Sequence, residues 1–421
     1  MQTLIVFSHL RWDFVYQRPQ HLLSRLAKHY RVLFFEEPVQ GKQTPFLERF
    51  APCANVEVLR PHTTINAVGF HDDQLPELKP LLAEYLQDFS ITDYLVWFYT
   101  PMALPLLADL TPRAVIYDCM DELSAFKDAP RQMVQRETAL MKRAQLVLTG
   151  GPSLYEVKRE LHANVRCFPS AVDAEHFTPY PTAQKENSRQ LEADRLHATI
   201  ACPRLGFFGV IDERFDAALI TALADGAPDC QLVIVGPIVK IDPASLPKRA
   251  NVHWLGQQSY EVLPHLVAQW DVCLLPFARN ESTRFISPTK TLEYMAAEKP
   301  IVSTPIHDVK SLYGDSVAVA STEAEFISAC KAALHEDAIA RGGRIERMRM
   351  HVRQCTWDRT ARAIHAELEG LLERQGSGTH SSVLAVERSF RAGATRAGEA
   401  VHARADDRAC AESAMPSSAA G

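Results

Sequence analysis

Hydrophobic residues fall in short runs of strand length that alternate with helical patterns along most of the chain. In the amino-terminal half, such runs predict strands at 3–8, 32–36, 94–99, 114–118, 145–150 and 164–170, with a helix over 19–28. Uninterrupted apolar runs are typical of strands that are buried on both faces of a parallel sheet. The pattern therefore predicts an α/β fold with a doubly wound, Rossmann-like parallel sheet.

The same alternation restarts after a polar stretch, with strands predicted at 204–209, 231–236, 251–256, 271–276, 301–303 and 317–320. We assign residues 1–178 to a first domain, 179–200 to a linker and 201–355 to a second Rossmann-like domain. An amphipathic helix is predicted within 356–375. Residues 376–421 are rich in Gly, Ser, Ala and Arg without apolar periodicity, so we predict a disordered tail there.

The segment 271–305 reads as strand, polar loop, short helix and strand. Ser287 is predicted as the helix N-cap and Pro288 as the first helical residue, where its missing N–H costs nothing. At 100° per residue, Leu292, Met295 and Ala296 share the face that packs on the sheet. The segment therefore predicts one βαβ unit.

Lys290 and Glu293 share the opposite face of this helix, at i, i+3 spacing. A helix N-terminus suits a phosphate, to which Lys290 adds a full charge. Glu293, one turn deeper, can accept hydrogen bonds from a ribose diol. The alternative is a solvated Lys–Glu ion pair on a surface helix, and geometry alone does not choose between the two.

The loop after the first predicted strand is rich in polar and aromatic residues, at the carboxyl end where open α/β sheets bind ligands. An aromatic ring to stack on, with charged groups to bond hydroxyls, favours a sugar site formed by Arg11, Trp12, Asp13 and Arg18. The alternative is that Trp12 packs the loop down while the charges face water.

Two further strand ends carry candidate chemistry. Asp118 and Asp121 end the strand at 114–118, and such carboxylates can serve as base, acid or hydroxyl acceptor. Asp121 can equally cap the next helix. Gly209 would let backbone N–H groups approach a diphosphate that Arg214 pairs with, although most such glycines only turn the chain. Ligand loops in both halves suggest a cleft between two domains.

Composition narrows the class of protein. The 421 residues are 47% hydrophobic and 23% charged, with a net charge of −6, which argues against a nucleic-acid partner. The nine cysteines are scattered and show no zinc or disulfide spacing. Without a predicted signal or transmembrane run, we expect a cytoplasmic protein. Basic residues over 131–143 predict either a weak peripheral contact with an anionic membrane or a solvated face.

Four stretches resemble one known family. They are SPTKTLEYMAAEKPIVSTP, NVRCFPSAVDAEHF, LGFFGVIDERFD with NVHWLGQQSYEVLPHLVAQWDVCLLPF, and the opening SHLRWDFVYQRPQHLLSRLA. The chain resembles GT-B-fold retaining glycosyltransferases of the family 4-like group, which includes bacterial exopolysaccharide and teichuronic-acid-type transferases. The first of these stretches is the most specific.

The resemblance implies a UDP- or GDP-sugar as co-substrate, no cofactor, no metal and a glycan or lipid-linked acceptor. Glu293 would bind the ribose, and Lys290 and Arg214 the diphosphate, with Gly209 and Pro288–Thr289 as its cradle. Lys290, Arg214 and Asp121 would be the catalytic residues, in transfer with retention for cell-surface or exopolysaccharide biosynthesis. The acceptor would approach from the first domain near Arg11, Trp12 and Asp121, and the last helix would cross back to that domain.

The chain also departs from the family pattern. The first of its usual paired glutamates is Phe285, for which Asn280, Glu281 or Thr283 could substitute. The usual catalytic His maps near Asp118 or Asp121. Two alternative functions therefore stay open: a GT-B-fold UDP-sugar 2-epimerase and a non-catalytic sugar-nucleotide-binding protein.

Overall fold

A computed structural model describes residues 1–41, 43–178 and 187–374. Its strands form an eight-stranded and a six-stranded sheet, in the orders β3-β4-β2-β1-β5-β6-β7-β8 and β11-β10-β9-β12-β13-β14. The strands are β1 (Gln2–Ser8), β2 (Tyr30–Glu36), β3 (Phe46–Cys53), β4 (Val56–His62), β5 (Tyr94–Phe98), β6 (Val115–Cys119), β7 (Leu146–Thr149), β8 (Val165–Cys167), β9 (Arg204–Phe208), β10 (Gln231–Val235), β11 (Val252–Trp254), β12 (Val272–Leu275), β13 (Ile301–Ser303) and β14 (Ala318–Val319).

Helices connect the strands of both sheets. They are α1 (Arg18–Leu26), α2 (Leu75–Asp88), α3 (Met133–Arg143), α4 (Pro152–Lys158), α5 (Ala174–Phe177), α6 (Asn187–His197), α7 (Ala217–Gly226), α8 (Leu263–Ala268), α9 (Lys290–Ala296), α10 (His307–Tyr313), α11 (Glu323–Leu334), α12 (Ala338–Gln354) and α13 (357–374). The predicted α/β class with two Rossmann-like parallel sheets is confirmed.

One edge of the first sheet differs from a purely parallel arrangement. β4 pairs in parallel with β2, but β3 pairs antiparallel with β4 and forms a mostly exposed edge. No uninterrupted hydrophobic run predicts these two strands. Charged residues interrupt both of them, at Glu48 and Arg49 in β3 and at Glu57 and Arg60 in β4, because one face of this edge meets water.

The helix that follows the loop after β12 begins later than predicted. α9 starts at Lys290 with Thr289 as its N-cap, and no side chain caps it, so the prediction of Ser287 as N-cap is wrong. The preceding turn is tighter than an α-helix, because the Thr291 N–H donates to the Pro288 carbonyl at 3.1 Å. Leu292, Met295 and Ala296 are buried, as the helical periodicity predicts.

The polar stretch predicted as a linker contains helix α6 over its second part. Ala193 is fully buried, and the indole N–H of Trp270 donates to Nε2 of His197 at 3.1 Å, so α6 packs on the second sheet's domain. Residues 179–186 of that prediction lie outside the described residues, as does the tail predicted for 376–421.

Two chain segments run side by side between the sheets. Val172 forms a parallel bridge with Thr356, and the Trp357 N–H donates to the Val172 carbonyl at 3.2 Å. Helix α13 then reaches β2, where the Tyr30 hydroxyl hydrogen-bonds Nδ1 of His365 at 3.1 Å. Residues 1–367 form one compact unit, and the described part of the other unit, 368–374, is helical. No described helix is long and apolar enough to cross a membrane.

Candidate active site

A cavity of about 570 Å³ lies between the carboxyl ends of the two sheets. Its walls come from residues that follow β1, β6 and β7 on one side and β9, β10 and β12 on the other. This volume falls in the range of small-molecule sites, roughly 300–1,000 Å³. Most of the predicted site residues line the cavity: Trp12, Asp13, Arg18, Asp121, Gly209, Arg214, Pro288, Thr289, Lys290 and Glu293.

Lys290 is a cation that forms no ion pair with a described residue. Its Nζ lies 5.5 Å from the ring centre of Phe207 and 5.8 Å from that of Phe277. Gly209 has a φ of +143°, and a Cβ there would collide with Cε of Lys290. Burial, reinforced by the charge of Arg214, lowers the pKa of Lys290 to about 8. The ammonium group is therefore desolvated and available to an anion.

Glu293 lies one turn further along α9 and is only 5% exposed. No described donor hydrogen-bonds its carboxylate, which lines the cavity. Burial raises the pKa of Glu293 to about 7, against the opposing effect of Lys290. The two side chains form no ion pair within 4 Å among the described residues, so the alternative of a solvated surface pair does not describe them.

Arg214 approaches the cavity from the loop after β9, already paired. Its Nε and Nη2 donate to the carboxylate of Asp212 at 3.0 and 2.6 Å. Burial alone would lower the pKa of Arg214, but the bonds to Asp212 raise it above its usual value. Arg214 therefore keeps its proton while sharing its charge with Asp212.

Asp121 lies on the opposite wall, directly after β6. Burial, with the charge of Asp212 in support, raises the pKa of Asp121 to about 6, although Arg214, Arg18 and Lys290 oppose the change. Among the described residues, no donor hydrogen-bonds this carboxylate. Asp121 is therefore an acid whose protonation changes close to neutral pH, as proton-transfer chemistry requires.

The structure does not bring four predicted site residues to the cavity. Arg11 turns away to the Glu36 carboxylate at 3.1 Å, and Asp118 is buried behind the cavity wall in an ion pair with Arg18 at 3.0 Å. Asn280 and Thr283 bind each other in the capping box of a short 3-10 helix. Their polar groups are satisfied within the protein, so we do not carry these four residues into the proposed site.

The remaining residues of the first-domain loop line the cavity with their charges already paired. Arg18 donates to Asp118 and, through Nη1, to the Phe168 carbonyl at 2.8 Å. Asp13 pairs with Arg60 at 2.9 Å. The ring of Trp12 meets Phe34 edge-on at 5.1 Å. The first-domain wall therefore shapes the cavity and offers polar atoms to sugar hydroxyls, while its charged groups are already paired within the protein.

Contacts between distant segments, which the sequence does not predict, close the cavity from both domains. Tyr16 stacks on Tyr260 with ring centres 4.7 Å apart, and Gln257 donates to the Phe14 carbonyl. The Ser170 hydroxyl donates to the Ser287 carbonyl at 2.7 Å. No local sequence pattern predicts these contacts, because the two partners of each contact come from distant segments.

Within residues 1–41, 43–178 and 187–374, no three His, Cys, Asp or Glu side chains are grouped to hold a metal ion. The charged residues that line the cavity include Lys290, Arg214, Glu293 and Asp121. Such a set can bind the phosphates and hydroxyls of an anionic sugar ligand.

Known glycosyltransferases resemble this chain in sequence. Residues 203–336 match the family model described as Glycosyl transferases group 1. The chain is 25% identical over 281 residues to a putative teichuronic acid biosynthesis glycosyltransferase, TuaH, of Bacillus subtilis, covering 62% of this chain and 69% of that protein. The resemblance predicted from the motifs is confirmed by these matches.

Solved structures share the fold. Sucrose-phosphate synthase from Thermosynechococcus elongatus superposes with a TM-score of 0.66 at 15% identity, covering 89% of this chain and 100% of that one. Anabaena HepE, solved in complex with UDP-glucose, gives a TM-score of 0.64 at 16% identity, covering 88% and 100%. At such identities, the similarity establishes the fold of this chain.

Proposed function

We propose that this protein, a glycosyltransferase with a group 1 domain over residues 203–336, transfers a sugar from a nucleotide-diphosphate sugar to a glycan or lipid-linked acceptor. We further propose that the transfer retains the anomeric configuration and serves cell-surface or exopolysaccharide biosynthesis. The observation that carries this proposal is the presence of half-buried Lys290 and buried Glu293 on one cavity wall, neither of them bonded through its charged group to another described residue.

The donor is proposed to lie against the second domain. Glu293 would accept hydrogen bonds from the ribose hydroxyls, and Lys290 with Arg214 would bind the diphosphate beside Gly209 and Pro288–Thr289. Because α9 is only seven residues long, the side chains rather than the helix dipole supply most of the positive charge. Among nucleotides we favour uridine diphosphate, since the structurally similar Anabaena protein was solved with UDP-glucose.

The proposed chemistry follows from this placement. An acceptor hydroxyl forms a bond to the anomeric carbon on the face from which the diphosphate departs, and the departing phosphate oxygen takes the hydroxyl proton. Lys290 and Arg214 stabilise the negative charge that develops on the leaving group. Asp121 faces them from the first domain, where its carboxyl group can hydrogen-bond a sugar hydroxyl. Trp12, Asp13 and Arg18 would form the acceptor side.

The first test is a thermal-shift titration of the purified protein with UDP, GDP, ADP and TDP. A ligand at a hundredfold excess over its Kd stabilises the folded state by about 2.7 kcal/mol. We expect a selective shift with UDP that Lys290→Ala and Glu293→Ala abolish, and that Lys248→Ala, a change at an exposed lysine of the same domain, preserves.

The outcome also separates the alternative functions. Conversion of the UDP-sugar without an acceptor would indicate an epimerase. Donor binding without any release of UDP, in the presence of acceptor extracts, would indicate a non-catalytic relative. A folded Lys290→Ala variant with full transferase activity would contradict the assignment of the donor site.

A further inference from the structure

Arg214 is held from two directions by two different domains. Its own loop supplies Asp212, which accepts hydrogen bonds from Nε and Nη2 and leaves Nη1 without a partner among the described residues. The first domain supplies Phe126, whose ring centre lies 5.0 Å from the guanidinium carbon. One edge of the guanidinium is bonded and one face is covered, which leaves little freedom for the group.

The segment that carries Phe126 is anchored on the second domain, so this stack is more than a chance surface contact. The Lys127 N–H donates to Oε1 of Glu213 at 3.0 Å, and its ammonium donates to the Lys240 carbonyl at 3.2 Å. The loop that bears Arg214 is thus bonded to the segment that bears Phe126.

We propose that Phe126 is a positioning residue that orients Arg214 toward the diphosphate of the donor, an inference that rests on the proposed function. An arginine stacked on an aromatic face keeps its N–H groups in the ring-parallel plane and loses less entropy on binding an anion. With Nε and Nη2 bonded to Asp212, the free Nη1 is the group that remains for a phosphate oxygen.

The contact between Phe126 and Arg214 also joins the two domains at the proposed diphosphate site. Phe126 follows β6 of the first sheet, whereas Arg214 follows β9 of the second. Coverage of the guanidinium therefore requires that the two domains lie as they do in this structure. A separated pair of domains would leave Arg214 hydrated on that face and less ordered.

The test compares UDP with uridine, because uridine lacks the diphosphate that Arg214 is proposed to bind. Affinities are measured by calorimetry, with kcat and KM for the donor, in the full-length wild type and in Phe126→Leu, Phe126→Tyr and Arg214→Ala. Phe89→Leu is the matched control, since Phe89 stacks on Arg49 at 4.6 Å away from the cavity.

Phe126→Leu is expected to weaken UDP about three- to tenfold, the range of one cation–π contact, and to lower kcat, while uridine affinity stays unchanged. Phe126→Tyr should keep the UDP affinity and kcat at wild-type values, and Phe89→Leu should change neither quantity. Equal losses for UDP and uridine, or an unchanged UDP affinity in Phe126→Leu beside a clear loss in Arg214→Ala, would overturn the positioning role alone. Unchanged UDP affinity in Arg214→Ala would overturn the proposed donor site as well.

Discussion

The loop after β1 and the face of α9 both place charged side chains on the cavity, but they treat those charges differently. Asp13 of the loop and Arg18, with which α1 begins at the end of that loop, are paired within the protein, to Arg60 and Asp118. In α9, Lys290 is half-buried and Glu293 is buried, and the charged group of neither is hydrogen-bonded to another described residue. The comparison teaches that residue type alone does not separate structural charges from ligand-binding charges.

The physical reason is the cost of removing a charge from water. A buried charge is tolerated when a partner and hydrogen bonds compensate it, and breaking such a pair is strongly destabilising. Ionisable groups with strongly shifted pKa values cluster at functional sites. The loop is therefore expected to govern stability, and the face of α9 to govern binding.

Arg18→Ala is expected to lower stability more than the other substitutions, and it tests whether the paired charges stabilise the fold. The substitution leaves Asp118, which is fully buried, without its counter-charge. The free energy of unfolding, measured by urea denaturation, should fall by roughly 3–5 kcal/mol. Arg284→Ala removes an exposed pair with Glu281 and should cost at most about 1 kcal/mol. Similar losses from both variants would break the distinction between the two kinds of charge.

A smaller effect is expected from the titration of Glu293. Burial raises its pKa to about 7 from 4.5, so between these values the folded protein holds a proton that the unfolded chain has released. Its contribution to stability is therefore present below pH 4.5 and lost as pH rises through 7. Urea denaturation across this window should show a loss on the order of 1–3 kcal/mol that Glu293→Gln removes.

Other buried groups titrate in the same window and make the control necessary. Burial also raises the pKa of Asp121 to about 6 and that of Glu37 to about 7. Both remain in Glu293→Gln, so the difference between the two pH profiles isolates Glu293. Parallel profiles would mean that Glu293 is ionised and compensated in the free protein.

The smallest effect is expected for Asn280→Ala, at a residue that the sequence analysis placed in the donor site. In the structure, Asn280 accepts from the Thr283 N–H at 3.2 Å and caps a 3-10 helix. Loss of such a cap costs about 1 kcal/mol of stability. Steady-state kinetics should give a donor KM equal to that of the wild type. A raised KM with unchanged stability would return Asn280 to the site.

The role of Phe285, in the loop before α9, depends on a tertiary contact. It occupies the position of a glutamate in the resembled family, which suggested a polar substitute nearby. In the structure its ring packs against the hydrophobic core of the first domain. The position therefore serves contact between the domains, and the candidate substitutes Asn280, Glu281 and Thr283 are not among the residues that line the cavity.

Local pattern determined much of this protein. Uninterrupted apolar runs predicted the central strands of both sheets, and i, i+3 spacing placed Lys290 and Glu293 on one face of α9, because both properties depend only on neighbouring residues. The exposed β3 edge, the pairing of Arg18 with Asp118 and the covering of Arg214 by Phe126 were decided by tertiary structure. Each of these depends on which distant segments meet. Whether a charged residue is paired within the protein or left available to a ligand therefore depends on which segments the fold brings together, and not on the residue type.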